Sequence, residues 1–327
     1  MKKRILAVLM AAVMVFGMTA CGNKEEKFTP AEIDVAVMTG PTAIGLIKVM
    51  SDAEEKTAAN NYNFNVYGTA DEISTGLIKG ELDVACVPCN LASVLYNKTE
   101  GQIVMAAINT LGVLYIVETG NGIQKVEDLR GKTIYSTGQG TTPEFTLRYL
   151  LMAAGIDPDK DVTIEYKSEA AEVAAALAEA TDAVAMLPQP YVTAAMNQNA
   201  NLRIALSVTE EWEKLSDDST VVTGVLVARK SFVEENEVAF EKFLEEYQAS
   251  VTYANENVEE AATALEHFGI FKAAIAKKAI PYCNVTFVAG EEMKTLAGAY
   301  LKVLFDQKPG AVGGKMPGDD FYYGAGK

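Results

Sequence analysis

Val84-Ala85-Cys86-Val87-Pro88 and Val184-Ala185-Met186-Leu187-Pro188 read as one strand written twice, one hundred residues apart. Each is a short apolar run closed by proline, the form of a buried strand that stops at a loop. Leu77 and Leu177 share the same offset, on the helical stretch before each strand. Working outward, strands are expected over 33–38, 63–67, 82–87 and 103–108, with helices over about 43–55, 71–79 and 90–96. Ile73, Leu77 and Ile78 share one face of the second helix. The pattern then restarts. Strands over 132–136, 162–166 and 183–187 alternate with helices over about 143–154 and 169–179, and a further helix starts near Tyr191. Thr39-Gly40 after the first strand of one set matches Thr137-Gly138 after the first strand of the other. Strands alternating with helices imply an α/β fold with mostly parallel sheets.

The second set does not run to the end. Val221-Val-Thr-Gly-Val-Leu-Val-Ala228 is another apolar run, followed by amphipathic helices over about 237–255, 258–268 and 291–305. These lack a strand set of their own and are expected to pack back on the first lobe. The chain would then cross between lobes twice, near 110–115 and 220–225. That defines two lobes, 32–111 with 225–327 and 112–224, joined as a hinge with a ligand cleft between them.

The N-terminus carries an address. Lys2, Lys3 and Arg4 precede an apolar run over 5–16, then small residues and Cys21. This is the layout of a secretory signal peptide over 1–20. Met18-Thr-Ala-Cys21 resembles the lipobox of bacterial lipoproteins, in which the Cys is lipidated. Residues 21–31 then form a tether, and the protein sits on the outer face of a cell membrane, in a Gram-positive arrangement. Removing the three basic signal residues takes the formal charge from −16 to −19. Nucleic acid is a poor partner for that surface. With Cys21 lipidated, Cys86, Cys89 and Cys283 are an odd number and cannot build a disulfide framework.

Asp128-Leu-Arg-Gly-Lys-Thr-Ile-Tyr135 resembles the "DLKGKxI" stretch entering the second lobe of type II periplasmic-type binding proteins. Gly138-Gln-Gly-Thr-Thr-Pro-Glu144 and Gly155-Ile-Asp-Pro-Asp-Lys-Asp-Val162 are similar to the sulfonate, taurine, nitrate and thiamine-pyrimidine receptors. The resemblance covers about 33–305. It implies a type II binding-protein fold and a monomeric receptor with no cofactor and no enzymatic activity. Such a receptor captures a small solute and hands it to the membrane permease of an ABC importer.

In open α/β sheets, ligands sit beyond the carboxyl ends of the strands. That rule selects four loops. The ligand-binding residues expected from them are Thr39, Gly40 and Thr42; Pro88, Cys89 and Asn90; Ser136, Thr137, Gly138, Gly140, Thr141 and Thr142; and Gln189 and Tyr191. Each loop leads into a helix N-terminus, where free N–H groups favour an anion. Thr141 and Glu144 have capping-box spacing. None of the four loops carries Arg or Lys, so a sulfonate-like anion or a neutral pyrimidine suits them equally. Trp212, the single tryptophan, either stacks on a ligand ring or has a surface or hinge-packing role, and Tyr191 and Tyr115 share that ambiguity.

Cys86-Val-Pro-Cys89 before a helix supports one rival, a lipid-anchored thiol-disulfide oxidoreductase. Against it, no Trp precedes Cys86, and the matching loop carries Met186 and Gln189 instead. His267 is the sole histidine, on a helix far in sequence from the loops, so a His-based triad or metal site has little to stand on. No GK[ST] phosphate loop occurs.

Overall fold

The computed structural model describes residues 27–216 and 218–326. The signal segment, Cys21 and the start of the tether lie outside them. In chain order come β1 (Glu32–Met38), α1 (Pro41–Ile44), α2 (Ile47–Glu54), β2 (Asn61–Tyr67), α3 (Ala70–Lys79), β3 (Val84–Pro88), α4 (Cys89–Lys98) and β4 (Ile103–Thr110). The second set is β5 (Leu114–Thr119), β6 (Thr133–Ser136), α5 (Thr142–Ala153), β7 (Thr163–Tyr166), α6 (Ala170–Leu177), β8 (Val184–Pro188), α7 (Tyr191–Gln198), β9 (Leu202–Ser207) and α8 (Val208–Glu213). The chain returns through β10 (Gly224–Arg229) and continues as α9 (Lys230–Glu235), α10 (Glu237–Glu256), α11 (Val258–His267), α12 (Ala273–Ala279), β11 (Val285–Val288) and α13 (Gly290–Gln307).

Two sheets form, each the centre of one lobe. Their orders are β11-β4-β10-β3-β1-β2 and β7-β6-β8-β5-β9. From β2 to β4 and from β7 to β9 the two orders correspond position by position. The repeat seen in the sequence is a repeat of register. Val84 and Ala85 pair with Val35 and Ala36, and Val184 and Ala185 pair with Ile134 and Tyr135. Pro88 faces Gly224, and Pro188 faces Leu114.

The sheets are mixed rather than mostly parallel. β1, β2 and β3 pair parallel, as do β6, β7 and β8. β10 enters the first sheet antiparallel, and β5 enters the second antiparallel. The cause is the crossing itself: each strand arrives from the other lobe at the strand ends and must run back down. The C-terminal segment also carries a strand, contrary to the sequence expectation. β11 is four residues long and pairs with the edge of β4, and so short a run gives little periodic signal.

α10 shows why the late helices return to the first lobe. Phe240, Phe243, Leu244, Tyr247, Val251 and Ala254 recur at helical spacing and are buried. They join a core with Ile33, Val35, Ile44, Ile47 and Met50. α13 behaves differently and bridges the lobes. Tyr300 packs at 5.3 Å between ring centroids against Trp212, and its hydroxyl meets Thr146 Oγ1 at 2.8 Å.

The first crossing, residues 111–113, is held from both sides. Leu111 N donates to Asn284 O at 3.2 Å, and Asn284 Nδ2 donates to Gly112 O. Asn284 has φ 44, a left-handed conformation that asparagine tolerates better than most residues. A Cβ on Gly112 would lie 1.7 Å from Thr209 Oγ1, 2.8 Å from its Cβ and 2.9 Å from its Cγ2, so turning the Thr209 side chain gives no relief. Gly112→Ala is therefore expected to destabilise by about 1–3 kcal/mol. Urea unfolding checks this, and an unchanged midpoint would show slack in the crossing.

Candidate functional site

A cavity of about 520 Å³ opens between the two sheets, at the carboxyl ends of their strands. β1 delivers Thr39, Gly40, Pro41 and Thr42 to it. Gly40 has φ 145, a conformation open to glycine and closed to larger residues, and this lets the chain turn straight into α1. Thr39 N and Oγ1 both donate to Tyr67 O, at 2.9 and 3.2 Å, which ties the loop to β2. From β6 come Thr137, Gly138, Gln139 and Thr141. Gly138 has φ 71, and a Cβ there would meet Thr141 Oγ1 at 2.7 Å and Pro143 Cγ at 2.9 Å. Pro88 and Pro188 end β3 and β8 at equivalent places in the wall, and Tyr191 starts α7.

Thr39, Gly40, Thr42, Pro88, Thr137, Gly138, Thr141 and Tyr191 thus reach the cavity. The other expected residues do not line it. Cys89 is fully buried in the core. Asn90 Nδ2 donates to Gly140 O at 3.2 Å and to Ala311 O at 2.9 Å, and its Oδ1 accepts from Thr142 Oγ1 at 3.4 Å. It therefore joins the lobes behind the cleft. Ser136 and Thr142 are fully buried, and Gly140 is exposed outside the wall. Gln189 Oε1 accepts from Thr193 N at 3.2 Å and Thr193 Oγ1 at 2.8 Å, capping α7 internally.

Trp212 needs a plain correction. It is fully buried, packs on Tyr149 and Tyr300, and donates from Nε1 to Ser219 Oγ at 3.0 Å. α8 turns it inward onto α13, a direction its charged sequence neighbours concealed. It therefore packs behind the cleft between α5 and α13 and does not line the cavity. Tyr115 lies outside the cavity too, with its hydroxyl 3.5 Å from Tyr282 O. The expected capping box does not form: Glu144 accepts from Gly140 N at 2.6 Å, and Thr141 Oγ1 donates back to Gly138 O at 2.8 Å and caps no helix N–H.

Two loops were missed. The end of β2 contributes Gly68, Thr69, Ala70 and Asp71, and the end of β7 contributes Tyr166, Lys167, Ser168, Glu169 and Ala170. Both follow the strand-end rule that selected the other four, so the signal was present. Among the described residues, Lys167 is the sole Lys or Arg lining the cavity. Helices α1, α3, α4, α5, α6 and α7 all begin at or beside these loops, so six N-terminal dipole ends converge. Tyr191 packs edge-on against Phe271 of the first lobe, 5.2 Å between centroids. Burial pushes its phenol up to about 12, with the Thr39 hydroxyl partly offsetting the rise.

The rival chemistry fails on the thiols. Cys86 and Cys89 are free and fully buried. Burial pushes the Cys86 thiol up to about 12 and raises Cys89 as well. A redox-active pair needs an accessible thiol of lowered pKa. Among the described residues no cluster of three or more His, Cys, Asp or Glu could hold a metal. His267 is exposed and pairs with Glu54 at 2.8 Å.

Two lobes around a strand-end cleft define a solute-binding protein of the periplasmic type. A family model described as "ABC transporter, phosphonate, periplasmic substrate-binding protein" matches residues 52–269, and the chain belongs to that family. An ABC transporter structure from Parabacteroides distasonis is similar at 26% identity, with TM-score 0.73, over 89% of this chain and 98% of that one. The periplasmic aliphatic sulphonate binding protein SsuA from Escherichia coli shares the fold at 15% identity, with TM-score 0.69, over 86% and 88% of the two chains. The alkanesulfonate-binding protein SsuA from Xanthomonas axonopodis pv. citri, bound to MOPS, does so at 14% identity, with TM-score 0.67, over 89% and 96%. No curated protein sequence matches the chain.

The buried thiols give a direct test. In native protein at pH 8, Cys86 and Cys89 are expected to resist an alkylating reagent for hours and to react within minutes in denaturant, read by mass spectrometry. Rapid native labelling of either would restore the redox reading.

Proposed function

We propose that this chain is the extracytoplasmic receptor of an ABC-type importer, held to the outer face of the membrane by lipid on Cys21. In this reading residues 1–20 are the signal and 21–31 the tether. The lobes are 32–111 with 225–327 and 112–224, and they close about a small organic solute. The observation that carries the reading is the cleft: strand ends from both sheets meet in one space, and two short segments join the lobes. The receptor binds and releases its solute without a chemical step, and passes it as a monomer to the permease.

The solute class is a sulfonate- or taurine-like anion, with a thiamine-type pyrimidine as second reading. Converging helix N-termini and Lys167 favour an acidic group. Asp71 and Glu169 suit an amine on the same molecule. The names of the two SsuA structures point the same way. Thr39, Thr42, Thr137 and Thr141 supply hydroxyls, and Gly40 and Gly138 let backbone approach.

A panel of taurine, ethanesulfonate, 2-hydroxyethanesulfonate, 2-aminoethylphosphonate and 4-amino-5-hydroxymethyl-2-methylpyrimidine tests this by thermal shift. At least one is expected to raise the melting temperature by mass action. Small-angle scattering should then show a smaller radius with that compound than without it. Failure of all five to stabilise the protein would sink the solute class, and an unchanged radius with binding confirmed would sink hinge closure. Gly138→Val should weaken binding at least about tenfold, because its φ and its neighbours exclude a branched side chain. His267→Gln should leave affinity unchanged.

A further inference from the structure

The cavity is polarised along its length. Its three ionisable carboxylate and ammonium side chains, Asp71, Lys167 and Glu169, come from the loops after β2 and β7. Those strands are the outer edges of their sheets. The two loops meet, since a Cβ on Gly68 would lie 2.5 Å from Glu169 Oε1. The opposite end is built from the crossing segments. There the wall is Leu114, Pro88, Pro188 and Thr223, and no charged side chain from the crossings lines it.

Thr223 is the member of that end with an unpaired hydroxyl, as Tyr166 is at the other end. Thr223 is 9% exposed, it lines the cavity, and its Oγ1 has no hydrogen-bond partner. Its backbone is fully committed. Thr223 N donates to Thr110 O at 3.0 Å, and Thr223 O accepts from Cys89 N at 3.2 Å. The main chain is therefore pinned while the hydroxyl is left over. Buried hydroxyls in folded proteins are nearly always paired, and one that is not calls for an explanation. The Oγ1 atom is itself buried, so meeting a solute requires a change of χ1 from one staggered position to another, which turns the hydroxyl toward the cavity without moving the main chain.

We infer that the solute lodges an uncharged hydrogen-bonding group, such as a hydroxyl, against Thr223 at the hinge, and leaves its ionised group at the outer end beside Lys167. The inference rests on the receptor reading above and adds to it the orientation and the bifunctional character of the solute. Thr223 is then a specificity residue. A site that offers a hydroxyl to a partner discriminates against the analogue lacking it, because its own group stays unpaired. The reverse orientation would place an ionised head against Leu114, Pro88 and Pro188, near the N-termini of α4 and α7 but beside no charged side chain of the wall.

Calorimetric titration of paired probes tests this. The pairs are 2-hydroxyethanesulfonate with ethanesulfonate, and 2-hydroxyethylphosphonate with ethylphosphonate. In the unaltered protein the hydroxylated member of a pair is expected to bind about tenfold more tightly. In Thr223→Val the ratio should fall to about one, while Thr223→Ser keeps it. Thr110→Val, a fully buried threonine outside the cavity wall, should also keep it. Lys167→Gln should weaken both members of a pair alike. Without solute, Thr223→Val should melt no lower than the unaltered protein, since an unpaired buried hydroxyl adds nothing to stability.

A ratio near one in the unaltered protein, a ratio that survives Thr223→Val, or one that changes in Lys167→Gln overturns the inference and leaves the receptor reading intact. Melting of ligand-free Thr223→Val several degrees lower would mean the hydroxyl is structurally paired, and would overturn it too. Binding of none of the four probes overturns both the anionic solute class and this orientation.

Discussion

The structure depends on an exchange of strands. β5 leaves the first lobe and inserts antiparallel between β8 and β9 of the second, while β10 makes the return journey between β3 and β4. Each sheet is completed by a strand that has just crossed from the other. Sheet hydrogen bonding thus ties the lobes together without any continuous sheet between them. The two crossings lie side by side, since Thr223 N donates to Thr110 O at 3.0 Å. In the reading proposed above, these crossings are the pivot about which the cleft opens and closes, with both ladders left whole.

Contacts on the two sides of that pivot have different characters. Behind the cleft, Asn90, Thr142, Thr146, Trp212 and Tyr300 form a buried interface of α4 and α13 with α5 and α8. At the cleft itself, the contacts between lobes include the aromatic edge contact of Tyr191 on Phe271, the Thr39 hydroxyl with the Tyr191 phenol, and Glu169 against Gly68. Buried hydrogen-bonded contacts are costly to break. The division of labour explains why several polar residues at strand ends do not face the cavity: they hold the lobes together from behind.

Charge within the cleft follows from the same architecture. Central strands end in prolines and small residues that let helix N-termini approach, and the only charged groups come in with the edge-strand loops. A strongly acidic chain therefore presents a cleft where helix dipoles and Lys167 stand against its overall field, and Asp71 and Glu169 add to it.

Local pattern determined much of this. The hundred-residue offset between Val84–Pro88 and 184–188 fixes two equivalent lobes, because a buried strand ending at a loop writes itself as an apolar run and a proline. Strand-end position likewise placed Thr39, Gly40, Thr42, Pro88, Thr137, Gly138, Thr141 and Tyr191 at the cavity. Tertiary structure decided the rest. Asn90 and Trp212 turn away from the cleft because partners far along the chain, Ala311 and Tyr300, claim their side chains. Lys167 follows an expected strand end, but its meeting with the β2 loop is decided by β7 and β2 lying at the edges of two separate sheets. Backbone periodicity says where a strand ends. Which way a polar side chain then points is settled by the long-range partners that can satisfy it.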